Sequence, residues 1–355
     1  MRGQRNGDDA GTTWGRRTTL ECGGLQVNRA PLSLEWSHGV VVVDPLSAMI
    51  RDAVFRVGGA DVRPLAAALW EDPGPHSGLP GHVRVLGGDF VCVPFGSAAV
   101  PPDADAAWNT AAAANDPPHG LSAELTWSAP QPTGDALLLT LEYPPAHPIE
   151  RLERLIRGVP GQSAVEFELH VHARARHETS IGLHPILRIP DEGTLVLDVA
   201  FGSGRTYPGL LPGGHQRLLP GARFDSLATA PAVGGGVMDV SRLPLPMPTE
   251  EVIQLLDVTP PLTARTSAYV VTLDWDSDIL PHVLLWISDR GIAEPPWDGH
   301  YRGFGVEPIA AAFDFPDEVS TSTNPLRVEG ARTSVWLDPF SPLVVRHRIS
   351  VKGTT

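Results

Sequence analysis

Four short stretches of this 355-residue chain combine ionisable side chains with glycine and proline in patterns that suit acid–base chemistry. In HYRGFGVEPIAAAFD, residues 300–314, Glu307 stands behind Phe304, Gly305 and Val306 and ahead of Pro308. A carboxylate at the end of an otherwise apolar strand is costly unless it has partners or a task. TSIGLHPILRIP, residues 179–190, sets His184 among apolar residues just ahead of a proline. PPHGLSAELTW, 117–127, carries His119, and GLPGHVRVLGGDFVCVPFG, 78–96, carries Arg84. Imidazole titrates near pH 6.5, and partial burial raises a carboxyl toward the same range, so both protonation states of such a couple are reachable near neutrality. Plainer roles compete: His184 as a core histidine bonded to a neighbouring carbonyl, Glu307 as an ion-pair partner of Arg302, and His119 as a loop residue beside a proline-rich turn.

These residues need a frame to hold them, and the sequence predicts a β one. In SAVEFELHVHARAR, 163–176, Val165, Phe167, Leu169, Val171 and Ala173 alternate with Glu166, Glu168, His170, His172 and Arg174. That period of two gives a long strand with one apolar and one polar face. Further strands are predicted at 39–43, 53–57, 83–86, 90–94, 123–127, 136–143, 151–156, 194–199, 268–273, 283–287, 304–307, 333–337 and 343–351. Glycine and proline number 36 each; together they make up about a fifth of the chain against roughly 12% on average, which favours many strands joined by turns. No long amphipathic helix and no repeat of fixed period is evident. Strand after strand with almost no helix means a β-sandwich or barrel. The segment 97–120 reads as a long loop with one helical turn in its middle, and 243–252 as another loop. The polar start, residues 1–25, is expected to be a disordered tail, and 26–355 one domain.

The bulk numbers exclude several function classes. A formal charge of −14 disfavours a nucleic-acid partner, since such binding needs basic surface to neutralise phosphates. No run approaches the ~20 apolar residues of a membrane span. With only Cys22 and Cys92, no disulfide framework is indicated and a reduced cytoplasm is compatible. His170 and His172 form an H-x-H pair whose imidazoles share a strand face. A metal site would need a third ligand, and no glycine-rich cupin pattern surrounds the pair, so solvated strand-face histidines are the expectation.

In their order along the chain, a histidine before glycine (His119), then G-x-HP ending on His184 and Pro185, then Glu307 before proline, the motifs resemble the aldose 1-epimerase (galactose mutarotase) family and its hexose-phosphate epimerase relatives. The resemblance spans roughly residues 35–350. It implies an all-β fold, a large antiparallel β-supersandwich whose polar concave face holds a sugar, and an isomerase that interconverts anomers by opening and closing the ring. Carried over by position, Glu307 is the base on the anomeric hydroxyl, His184 the acid on the ring oxygen, His119 a ligand of a substrate hydroxyl and Arg84 a substrate-binding residue. Trp297, in PPWDG, is either a surface for a sugar face or simple packing. No metal or other cofactor is implied. The expected setting is a cytoplasmic monomer or homodimer acting on a small sugar. Where that family usually has aromatics after its HP dipeptide, this chain has Ile186 and Leu187, and its substrate-binding aspartate has no evident counterpart. Three alternatives stay open: a sugar-phosphate epimerase, for which Arg84, Arg188 and Arg302 would have to converge on a phosphate; a carbohydrate-binding protein without chemistry; and a polysaccharide lyase or glycosidase on the same type of sandwich, the latter needing a second carboxylate opposite Glu307.

Overall fold

A computed structural model of the chain describes residues 30–354 except 71, 73, 75–77, 97–98, 109–114 and 131–135. The tail expected over 1–25 lies outside the described residues. Two eight-stranded sheets, antiparallel throughout, carry the architecture. The back sheet runs in the order Arg242–Leu243, Leu195–Ala200, Thr259–Arg265, Tyr269–Trp275, Leu343–Gly353, Ala164–Ala173, Ile149–Gly158, Ala136–Glu142. The front sheet runs Arg223–Phe224, Ser203–Thr206, Thr249–Leu256, His282–Asp289, Arg302–Ala310, Ile181–Leu183, Val91–Cys92, and Ile186–Arg188 also pairs with Arg302–Ala310. A separate four-stranded meander over Leu32–Trp36, Gly39–Asp44, Met49–Val57 and Ala60–Val62 precedes them.

Period-two patterning explains how the sheets meet. In Ala164–Ala173 the apolar set is buried and the polar set half-buried, as the alternation predicts. Phe167, Leu169 and Val171 share one apolar cluster with Val283, Leu285, Ile287, Phe304 and Val306 of the front sheet. Each such side chain contributes roughly 1.5–3 kcal/mol of burial. A buried ion pair sits inside this layer. Arg154 and Asp89 form an ion pair with neither side chain exposed, and His347 approaches Asp89 at 3.2 Å while stacking on Phe167.

The front sheet differs in being buried on both faces: every residue of Thr249–Leu256 is inside, as is nearly all of Arg302–Ala310. Its outer face lies under a second apolar cluster that includes Trp70, Phe90, Phe95, Trp297 and Tyr301. Strand register sets the rows on that face as Glu250–Ser288–Gly303, Val252–Trp286–Gly305 and Gln254–Leu284–Glu307.

Three expectations fail here. The strand expected over 83–86 is replaced by the helical turn Gly81–Arg84, which Pro80 precedes; proline's fixed φ suits a helix start. The strand expected over 123–127 begins as the helix Gly120–Glu124, with only Thr126 bridging to Leu46. The loop expected over 243–252 hides the start of a central strand, Thr249–Leu256. Prolines before it and two adjacent glutamates within it mask the apolar signal. The helical turn expected within 97–120 is present at Ala106–Trp108.

Candidate active site

The broken ladder explains where His184 stands. Ile181–Leu183 and Ile186–Arg188 both pair with Arg302–Ala310, and the His184–Pro185 step separates them. Proline has no N–H for the ladder. The backbone is pinned on either side of the break: the His184 N–H donates to Phe90 O at 2.9 Å, and the Val306 N–H donates to Pro185 O at 2.8 Å. His184 Nε2 then lies 3.4 Å from Glu307 Oε1. Gly305 is required beside them, because a Cβ there would come within 2.2 Å of Glu307 Oε1. Glycine there leaves room for the carboxylate to lie back over its own strand.

Two more imidazoles complete the cluster. Phe90 stacks on His184 at 4.3 Å and on His82 at 5.7 Å. His119 stands edge-on to His184 at 5.3 Å and to His82 at 5.0 Å. Its left-handed backbone, φ 59°, is held by an N–H bond to Gly96 O at 2.8 Å. Gly120 follows because a Cβ would meet Val93 O at 2.2 Å. Beyond His184, Trp286 lies edge-on at 6.2 Å, donates from Nε1 to Glu250 Oε1 at 2.5 Å and stacks on Tyr301.

Burial decides the charge states. It pushes the Glu307 carboxyl well above its usual value, with the charge of Asp314 adding to the effect. It lowers His184 to about 3, helped by His82, and lowers His82 to about 4. His119 moves in the same direction for the same cause. Burial also raises Glu250 to about 8 against the hydrogen bond from Trp286. Burial thus disfavours charge on both partners of the pair, pushing the carboxyl up and the imidazole down. Buried polar atoms are normally hydrogen-bonded, and leaving one unsatisfied costs about 1–3 kcal/mol. Both Glu307 oxygens, Nδ1 of His184, His119 and His82, and the Tyr301 hydroxyl are buried here without a hydrogen bond. Such a concentration of unpaired polar groups on one face marks a candidate functional site.

His184, Glu307 and His119 of the sequence-derived set are thus brought together. Arg84 and Trp297 are placed otherwise. Arg84 is held by Asp72 through two bonds, 2.8 and 3.1 Å. Trp297 is buried and contacts Trp70, which in turn contacts Tyr301. Arg302 pairs with Asp289 at 3.0 Å and Asp191 at 3.1 Å rather than with Glu307. Arg188 has no ion-pair partner among the described residues, whereas Arg84 and Arg302 are each engaged by carboxylates. The sequence reading missed His82, Glu250, Trp286 and Tyr301. His82 lay within a motif already singled out, two residues from Arg84. Glu250 was hidden by the loop expectation. A hollow of about 470 Å³ on the back sheet, bordered by Glu166, Glu168, Asp274 and Asp276, shares no residue with this cluster.

No family model matches the sequence, and no curated protein matches it. Solved structures do. A galactose mutarotase-like protein from Lactobacillus casei superposes with a TM-score of 0.57 at 14% identity over 90% of this chain and 99% of that one. An aldose epimerase homologue from C. elegans gives 0.59 at 10% identity over 92% and 99%. A galactose mutarotase-like protein from Clostridium acetobutylicum gives 0.57 at 11% over 91% and 95%. The fold is the antiparallel β-supersandwich of the galactose mutarotase type, as the motif order implied.

Proposed function

We propose that the protein is an aldose 1-epimerase-like isomerase, interconverting the anomers of a hexose or related sugar. The observation that carries this reading is the sealed His184–Glu307 pair, 3.4 Å apart, whose carboxyl oxygens have no hydrogen-bond donor. A general acid and a general base must each reach hydrogen-bond distance of its target. The targets are the anomeric hydroxyl and the ring oxygen, which are bonded to the same carbon, so the two groups have to stand side by side.

The proton inventory fits one turnover. The reactive form carries one proton on His184 beside a Glu307 carboxylate; burial disfavours this ion pair in the free protein, and the hydroxyls of the bound sugar offset that cost. Glu307 takes the proton of the anomeric hydroxyl, the bond from the anomeric carbon to the ring oxygen breaks as the carbonyl forms, and His184 delivers its proton to that oxygen. After rotation about the C1–C2 bond, the steps run backward on the other face of the carbonyl. The pair begins and ends with one proton, so no net charge enters or leaves the buried site. We assign His119, whose buried Nδ1 has no hydrogen bond, to a neighbouring hydroxyl, and Trp286 and Tyr301 to the apolar surface beside it. A sugar-phosphate reading is less well supported, because Arg84 and Arg302 are already engaged by carboxylates. The small-sugar reading goes with a cytoplasmic setting, which the low cysteine content supports.

The test is a panel of sugars, each prepared as one anomer and followed by polarimetry or one-dimensional NMR. Saturable acceleration by the wild-type protein, lost in Glu307→Gln, is expected. A panel with no acceleration above solvent would remove the proposal in favour of a binding role.

A further inference from the structure

We propose that Glu153, His170 and His172 form a binding site for a divalent transition-metal ion, zinc foremost, on the outer face of the back sheet. The H-x-H spacing puts both imidazoles on one face of Ala164–Ala173, and register sets Glu153 of the neighbouring strand directly opposite His170. That is the third ligand the sequence alone did not reveal. One ligand atom from each of the three lies within 4.8 Å of the others, and no other trio of histidine, cysteine or carboxylate is so placed among the described residues. His172 Nε2 stands 3.4 Å from Glu153 Oε2. An ion held at about 2.0–2.2 Å by tetrahedral ligands needs ligand atoms roughly 3.3–3.6 Å apart, so this edge is already the right length.

The surroundings prepare the same atoms. Arg151 donates to Glu153 Oε1 at 3.1 Å, which leaves Oε2 facing the histidine. His172 Nε2 is buried and makes no hydrogen bond. Glu168 bonds His170 at 2.6 Å and is itself held by Arg346 at 2.7 Å, the kind of outer carboxylate that orients a ligating imidazole. Two imidazoles and one carboxylate suit zinc, and three protein ligands leave a fourth position open for water or a partner's side chain. The inference is independent of the sugar chemistry, since His184 and Glu307 stand on the other sheet.

The experiment is a zinc titration of the full chain against a chromophoric chelator, with cobalt(II) as a spectroscopic stand-in. One tight equivalent and visible d–d absorption of a four-coordinate cobalt site are expected. His172→Ala, His170→Ala and Glu153→Gln should each weaken zinc by about 10²-fold or more, and Glu168→Gln by about 10–100-fold, as an outer partner does. Glu153→Gln nearly preserves shape, so a fold defect in the alanine variants would leave the test intact. Absence of a stoichiometric site in the wild type, or zinc affinity unchanged in His172→Ala and Glu153→Gln, would overturn the proposal.

Discussion

On the front sheet His184 meets Glu307 at 3.4 Å with side chains 7% and 1% exposed; on the back sheet His172 meets Glu153 at the same 3.4 Å with side chains 18% and 29% exposed. Residue types and distance are alike, yet the surroundings are opposed. In the sealed pair burial disfavours charge on both partners, pushing the carboxyl up and the imidazole down. Burial pushes the half-exposed Glu153 up, but the bond from Arg151 and the neighbouring His172 hold it below its usual value. Distance alone therefore does not tell a proton-transfer couple from an ion or metal ligand set. Solvent access and the remaining donors do.

The strongest way to break the comparison is to remove the basicity of each glutamate while keeping its shape. Glu307→Gln is expected to lower the anomer-interconversion rate constant by about 10²-fold or more, with sugar affinity within a few-fold. His184→Gln should act in the same direction, and the double variant should lose less than the product of the two, since both groups serve one transition state. Glu153→Gln should leave the rate unchanged. If Glu307 were only structural, its variant would unfold more readily with activity per folded molecule intact. Thermal midpoint and rate measured on one preparation separate the cases.

A second, smaller effect concerns pH and stability. His82, His184 and His282 are lowered by burial to about 4, 3 and 4 from 6.5. Unfolded, they bind protons below pH 6.5 that the folded protein refuses, so their contribution to stability is lost as pH falls. Glu250 and Glu251 are raised by burial from 4.5 to about 8 and 7. Folded, they keep protons that the unfolded chain releases above pH 4.5, so stability is lost as pH rises. The two sets oppose each other between 4.5 and 6.5 and act alone outside that window. The thermal midpoint is expected to peak there, and Glu250→Gln should flatten the alkaline decline. A midpoint rising steadily from pH 5 to 8 would contradict this assignment of charge states. The half-exposed back-sheet carboxylates contribute little to the curve.

The two regions also differed in legibility. Alternation over 163–176 gave the back-sheet strand nearly to the residue, because a half-solvated strand writes its faces into its sequence. The front sheet is buried on both sides, so Thr249–Leu256 shows no alternation, and its opening Thr-Glu-Glu reads as surface. His184, Glu307 and His119 were legible from motif order, which no periodicity would have supplied. Glu250 and Tyr301 were not, since what brings them to the site is strand register and a chain of ring contacts. Glu153 was missed as a partner of the H-x-H pair for the same reason: it lies in the next strand, and sequence distance hides register.

The smallest effect sharpens the comparison from the back sheet. Exposed ion pairs contribute about 0–1 kcal/mol, so Glu153→Gln in metal-free protein should move the thermal midpoint little, by no more than a few degrees for a chain of this size. Zinc at a hundredfold excess over its dissociation constant adds about 2.7 kcal/mol by mass action, so the same substitution should cost more once the ion is present. The midpoint difference between wild type and Glu153→Gln is thus expected to widen on adding zinc and to close again on adding EDTA. Anomer interconversion should be unaffected by either addition, because the groups assigned to it are side chains on the other sheet. A gap that does not respond to zinc would make Glu153 an ordinary pair partner of Arg151 and His172. Activity that fell with EDTA and returned with zinc would show that the two histidine–glutamate pairs are coupled, and that the division of labour between the sheets is wrong.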